Sequence, residues 1–146
     1  MIRLVVNVSL VLMIVWVIFF RTPITTLCIG DQMLHLETAY KAYTRKKGLQ
    51  GVDFLTDREG MLFLYDKPEQ RSFWMYDVSI PLDLAWLDGS GRIISIQSMH
   101  PCLSDREDCR LYPSPGPITG AVEVRGGWFT DHGITAGDRF FDCGVD

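Results

Sequence analysis

Three carboxylates sit in or beside apolar runs, where an acid must be paired or put to use: Asp77 in "SFWMYDV", Asp83 in "IPLDLAWLD" and Glu123 in "VEV". Two facing carboxylates are the least that glycoside hydrolysis needs, one to protonate the leaving oxygen and one to activate water or attack the sugar. Plainer roles exist for each. Asp83, just after Pro81, fits a backbone-capping acid at a strand entry, and Glu123, between Val122 and Val124, fits the solvent face of a one-sided strand. Trp74, Tyr76, Trp86, Tyr112 and Trp128 could line a groove for sugars or peptides, with the acids fixing orientation. The plainer role for these aromatics is to fill a small core. The expected binding residues are Trp74, Asp77, Asp83, Tyr112 and Glu123, and no catalytic residue is assigned.

Other chemistries are less well supplied. Met61, Met75, Met99, His100, Cys102 and Cys109 are soft donors that could hold copper(I), although methionines in strands usually pack. There is no Gly-x-Ser-x-Gly elbow and no phosphate-cradling glycine loop. His100 and Cys102 stand only two residues apart, and an oxidised cysteine is no nucleophile. No metal or other cofactor is expected.

The elements that must position these residues read mostly as strands. "ITTLCI" and "MLHLE" flank Gly30-Asp31 as a hairpin, and "TAYKAYTRKKG" predicts one short helix opened by Thr38 and closed by Gly48. "GMLFLYD", "SFWMYDV", "LDLAWLD", "RIISIQSM", "ITGAVEV" and "DRFFDC" follow, separated by turn-forming "DKPEQ", "DGSG", "YPSPGP" and "RGGW". In "IPLDLAWLD", Ile80, Leu82, Leu84 and Trp86 share one face, and Asp83, Ala85 and Leu87 the other. "SFWMYDV" is apolar on both faces and predicts a central strand, with Asp77 near its end. The expected fold is mainly β, a compact antiparallel barrel or sandwich with one short helix.

A membrane segment precedes it. Residues Leu4–Phe20 form an apolar run between Arg3 and Arg21, long enough for a helix of roughly 26 Å. The exit "FFRTPITTLC" has no Ala-x-Ala cleavage pattern, which favours a retained transmembrane anchor over a cleaved signal. Residues 1–21 are therefore expected to be the membrane anchor or signal segment, and 22–146 a single exported domain. Its place is the periplasmic or extracellular side of the cell membrane. The exported part holds 12 basic against 18 acidic residues, so nucleic acid is not an expected partner, and "RKK" at 45–47 reads as a solvated helix end.

Export gives the four cysteines a meaning. Cys102 and Cys109 bracket the polar "LSDRED", a ring whose closure would contribute about 2.5 kcal/mol on the chain-entropy model. Cys28 and Cys143 then remain near the two ends of the domain. A zinc site would want closer pairs and histidines at helical spacing.

The motifs "GLQG" (48–51), "GMLF" (60–63), "FWMYD" (73–77), "IPLDLAWLD" (80–88), "GRI" (91–93) and "PC" (101–102) occur in that order. Tyr112, "VEV" (122–124), "GW" (127–128), "HGI" (132–134) and "GD" (137–138) continue the succession. Together they resemble the family called domain of unknown function 192, over roughly residues 24–143. The resemblance implies a small exported or membrane-tethered β-rich domain and supplies no established reaction. Two positions depart from it: Gln50 stands where the family commonly has Met, and Asp77 where it has Asn. The expectation is a membrane-tethered, noncatalytic domain that binds an unidentified envelope ligand. The alternatives are a carboxylate-dependent hydrolase of envelope glycans and a copper-binding protein.

Overall fold

The computed structural model describes residues 22–144. The expected anchor, residues 1–21, lies outside them, and among the described residues no helix is long and apolar enough to cross a membrane.

The predicted hairpin forms. Strand β1 (Ile24–Ile29) turns through Gly30-Asp31 into β2 (Gln32–Ala39), with Ile29 opposite Gln32. The helix is shorter than its sequence pattern. Thr38 belongs to β2, and α1 runs only from Ala42 to Lys47. Thr44, not Thr38, supplies the capping hydroxyl, which accepts the Lys41 N–H at 3.2 Å. Gly48 ends the helix at φ 50°.

Strands β3 (Glu59–Glu69), β4 (Ser72–Trp74), β5 (Leu82–Leu87), β6 (Ile93–Met99), β7 (Leu111–Pro113), β8 (Ile118–Arg125) and β9 (Phe141–Asp142) follow. A single turn of helix, α2 (Trp128–Asp131), stands where "RGGW" read as a bare turn. Seven strands form one curled sheet, a half-barrel ordered β6-β5-β8-β3-β2-β1-β9, and β4 and β7 form a separate ribbon. The sheet is mixed rather than antiparallel throughout, because β2 and β3 pair in parallel across the α1 crossover. The stretch just before β9 returns to the far end of the sheet. There the Phe140 N–H donates to Gly91 C=O and the Ile93 N–H to Asp138 C=O.

Strand β5 is covered on both sides, and every residue in it is buried. Leu82, Leu84 and Trp86 join Met61, Phe63, Phe73 and Met75 in one core. Ala85 and Leu87 join Leu34, Leu36, Val122, Val124, Trp128 and Phe129 in the other. "SFWMYDV" is not a central strand: it pairs for three residues with β7 and lies over the first core. Its two apolar faces have different neighbours. Phe73 and Met75 are buried, while Trp74 and Tyr76 are only half-buried.

Asp77 ends this stretch as an exposed residue at φ 57°, the one non-glycine with positive φ among the described residues. Its N–H donates to Cys102 C=O at 3.1 Å, and its own C=O accepts the Gly51 N–H at 3.0 Å. Asp and Asn tolerate this left-handed conformation better than other residues with a side chain, which accounts for either at this place. Asp77→Asn is expected to change stability by less than about 0.5 kcal/mol, whereas Asp77→Val should cost about 1–2 kcal/mol or more in urea unfolding. Equal losses from the two variants would show that the carboxylate, not the backbone, matters here.

Candidate functional site

Glu123 lies in the middle of β8, opposite Met61 of β3 and Leu84 of β5, so its side chain shares their face of the sheet. The approach of β3 is close. A Cβ at Gly60 would stand 2.2 Å from the Glu123 carbonyl oxygen, so only glycine fits there. The expected solvent-face position for Glu123 is thus overturned: it is 4% exposed, because both faces of β8 are covered. Its carboxyl forms no hydrogen bond or ion pair among the described residues, and burial alone pushes its pKa up to about 8. At neutral pH the group is mainly the uncharged acid.

This acid borders a cleft of about 270 Å³. Phe63, Tyr65, Phe73, Trp74, Tyr76 and Val78 wall the cleft, and residues 45–50 with Arg71 and Ser72 complete it. The Phe63 and Phe73 rings meet edge-on at 4.7 Å, and Trp74 and Tyr76 stand 5.9 Å apart. Tyr65 falls where β3 loses register with β8, between Leu64 and Glu69, so the strand continues irregularly through "DKPE" instead of turning there. The guanidiniums of Arg71 and Arg45 lie 4.5 and 5.0 Å from its ring centre, yet burial pushes its hydroxyl pKa up to about 12. Basic residues in the last turn of α1 suit the negative end of its dipole.

Two loops hold the wall in place. The Gly51–Asp77 hydrogen bond ties "GLQG" to the end of "FWMYD". On the other side Cys102 pairs with Cys109, and Arg106 from the enclosed loop rests 5.0 Å over Trp74 and 4.8 Å over Tyr76. Arg71 is clamped by Ser114, which accepts the Arg71 N–H through Oγ and donates its own N–H to Arg71 C=O. Arg71 Nη2 pairs with Glu69 at 2.7 Å, while Nε is buried without a partner. A wider groove of about 640 Å³, between Leu64, Asp88 and Phe141, has no such unpartnered buried side-chain atom.

Of the five expected binding residues, the cleft brings together Trp74 and Glu123. Asp77 is adjacent in sequence but does not line it. Asp83 is opposite Val124 in the β5–β8 register and so points to the other face of the sheet from Glu123. There it accepts Ser98 Oγ–H at 2.7 Å and the Gly127 N–H at 2.9 Å, which occupies both carboxylate oxygens. Tyr112 is buried in the first core, its hydroxyl accepting the His100 N–H at 3.2 Å. The three acids do not converge. Of the soft donors, Met61, Met75 and Met99 are buried in the first core, His100 is exposed, and the sulfurs of Cys102 and Cys109 are bridged to each other. Among the described residues no group of three His, Cys, Asp or Glu could hold a metal ion.

Arg71, Tyr65 and Arg45 were missed from sequence. "RKK" looked like an ordinary helix end, and only the glycines of "GLQG" hinted that the chain folds back just after it. Glu123 yields a direct test. Its carboxyl holds a proton in the folded chain between pH 4.5 and about 8 and has lost it in the unfolded chain. Folding therefore weakens as pH rises through this window. Between pH 6 and 7.5 the wild type should lose about 2 kcal/mol more stability than Glu123→Gln, read by urea unfolding at each pH. Parallel pH profiles would place the carboxyl in contact with water.

The curled half-barrel is a small β domain, and its candidate site is the cleft lined by the sheet, the ribbon and the loop after α1. The chain belongs to the family DUF192, described as Uncharacterized ACR, which matches residues 25–141. A protein of unknown function from Novosphingobium aromaticivorans DSM 12444 is similar in structure, with TM-score 0.73, 29% identity, and coverage of 81% of this chain and 84% of that one. A Sinorhizobium meliloti 1021 protein provisionally named a transcription regulator is similar with TM-score 0.77 over 86% of this chain and 98% of its own. At 22% identity that likeness shows the fold alone. No curated protein matches the chain.

Proposed function

We propose that this protein is a noncatalytic ligand-binding domain of the cell envelope, tethered to the membrane by residues 1–21, with the cleft above Glu123 as its binding site. The observation that carries this reading is Glu123, a residue only 4% exposed whose carboxyl borders an aromatic cleft and has no hydrogen-bond or ion-pair partner among the described residues. A buried polar group without a hydrogen bond costs stability, and a site that spends stability on one leaves that group free for a ligand. The noncatalytic part rests on the separation of the acids. Asp83 is on the opposite face and Asp77 is outside the cleft, so the facing pair that glycoside hydrolysis requires is not assembled.

Export and tethering are supported by the apolar run Leu4–Phe20 and by two disulfides, Cys28–Cys143 and Cys102–Cys109, which suit an oxidising compartment. Trp74 is the half-buried tryptophan of the cleft, whereas Trp86 and Trp128 are fully buried. Screening small saccharides and short peptides by tryptophan fluorescence on the full-length protein should find a ligand whose signal disappears in Trp74→Phe. The full-length protein should also stay in membranes through an alkaline carbonate wash. Signals unaffected by Trp74→Phe would move the site elsewhere, and saccharide cleavage that Glu123→Gln abolishes would make the protein an enzyme.

A further inference from the structure

We propose that the cleft takes a small organic anion that also carries hydroxyl groups, of the sugar-acid class, with its anionic end at Arg71 and a hydroxyl at Glu123. This rests on the cleft being the binding site. Two side chains bordering it have unspent hydrogen-bonding capacity. One is the Glu123 carboxyl, and the other is Arg71 Nε–H, the one buried side-chain nitrogen or oxygen without a partner among the described residues. Arg71 Nη2 is already engaged by Glu69 and its backbone by Ser114, so the side chain is held in the cleft wall.

Charge selects among ligands. Arg45, Lys46, Lys47 and Arg71 line the cleft against one acid, Glu123, which is mainly protonated at neutral pH, and of the four bases only Arg71 has an acid partner, Glu69, among the described residues. A cation would meet the like charges of Arg45, Lys46 and Lys47, and an inorganic anion alone would leave Glu123 unpaired. A neutral sugar would leave the positive charge of Arg45, Lys46 and Lys47 unmatched, whereas an anion complements it. A protonated carboxyl both donates to and accepts from a hydroxyl and does not repel the anion bound at Arg71. Between the two ends, Tyr65, Phe73, Trp74 and Tyr76 supply apolar faces for the C–H groups of a ring. At about 270 Å³ the space is below the range of about 300–1,000 Å³ typical of drug-sized ligands, so a single ring fits it.

Calorimetric titration of the full-length protein in detergent at pH 6.5 with D-glucuronate, D-glucose, D-glucosamine and sodium sulfate tests the assignment. D-Glucuronate should bind at least tenfold more tightly than the other three. Arg71→Met should weaken it tenfold or more and leave the preference over D-glucose abolished. Between pH 6.5 and 9 the affinity should fall in the wild type, and Glu123→Gln should remove that fall. Tyr65, whose pKa is pushed up to about 12, stays protonated across this range. Circular dichroism melting of each variant separates lost binding from lost folding. Equal affinity for D-glucose and D-glucuronate, or tightest binding of D-glucosamine, would overturn the anion assignment while leaving the cleft as a site. No heat with any of the four would overturn it as well, and only a silent fluorescence screen besides would remove the cleft itself.

Discussion

Cys28→Ser/Cys143→Ser is expected to lose about 5 kcal/mol of stability, twice the loss of about 2.5 kcal/mol from Cys102→Ser/Cys109→Ser. The first bridge spans 115 residues of sequence and the second 7, and loop-closure entropy in the unfolded chain grows with the logarithm of that span. The native state adds to the difference. Strand β9 pairs with β1 through only two residues, so Cys28–Cys143 is the main fastening of a segment that also bonds to Gly91 and Ile93 across the curl. Urea unfolding of both double variants against wild type measures the two losses, with an unchanged m-value confirming that the unfolded states are comparable. Equal losses would mean that native strain or residual unfolded structure outweighs loop length.

Both pairings were legible in the sequence because a short polar loop between two cysteines restricts the remaining choice. The β content and the Gly30-Asp31 hairpin were legible for a similar reason, since turn chemistry and apolar alternation act locally. Strand direction is not local. Nothing in the alternation of "MLHLE" or "GMLFLYD" distinguishes a parallel from an antiparallel partner, and the parallel β2–β3 pair follows from the route of the chain through α1. Glu123 escaped for a physical reason too. An acid between two valines reads as outward-facing only if the strand has a wet face, and β8 has none, being packed between β3 and β5 with a core on each side. The cleft was half legible. Trp74 was marked by its aromatic run, whereas Arg71 and Tyr65 gain their roles from the ribbon β4–β7 and the irregularity in β3, which no local pattern announces.

The largest single-residue effect is expected at Phe73, where the ribbon meets the first core. Phe73→Ala should cost about 3–5 kcal/mol, the sum of lost transfer energy and the cavity left behind. The ring is 7% exposed and meets Phe63 edge-on at 4.7 Å and Trp86 at 5.2 Å, so its removal unpacks two neighbours from different strands of the sheet. Relaxation into the space is limited because the backbone on either side is held. Phe73 lies opposite Tyr112 in the ribbon, and the stretch after it is anchored at Asp77 to both Cys102 and Gly51. Trp74→Ala offers the contrast: its neighbour in sequence is half-buried on the cleft side, so that change should cost well under half as much while abolishing ligand-dependent fluorescence. Urea unfolding of the two variants reads the difference. A loss at Phe73 no larger than at Trp74 would show that the ribbon moves to fill the cavity, and therefore that β4 is a mobile wall of the cleft rather than a fixed part of the core.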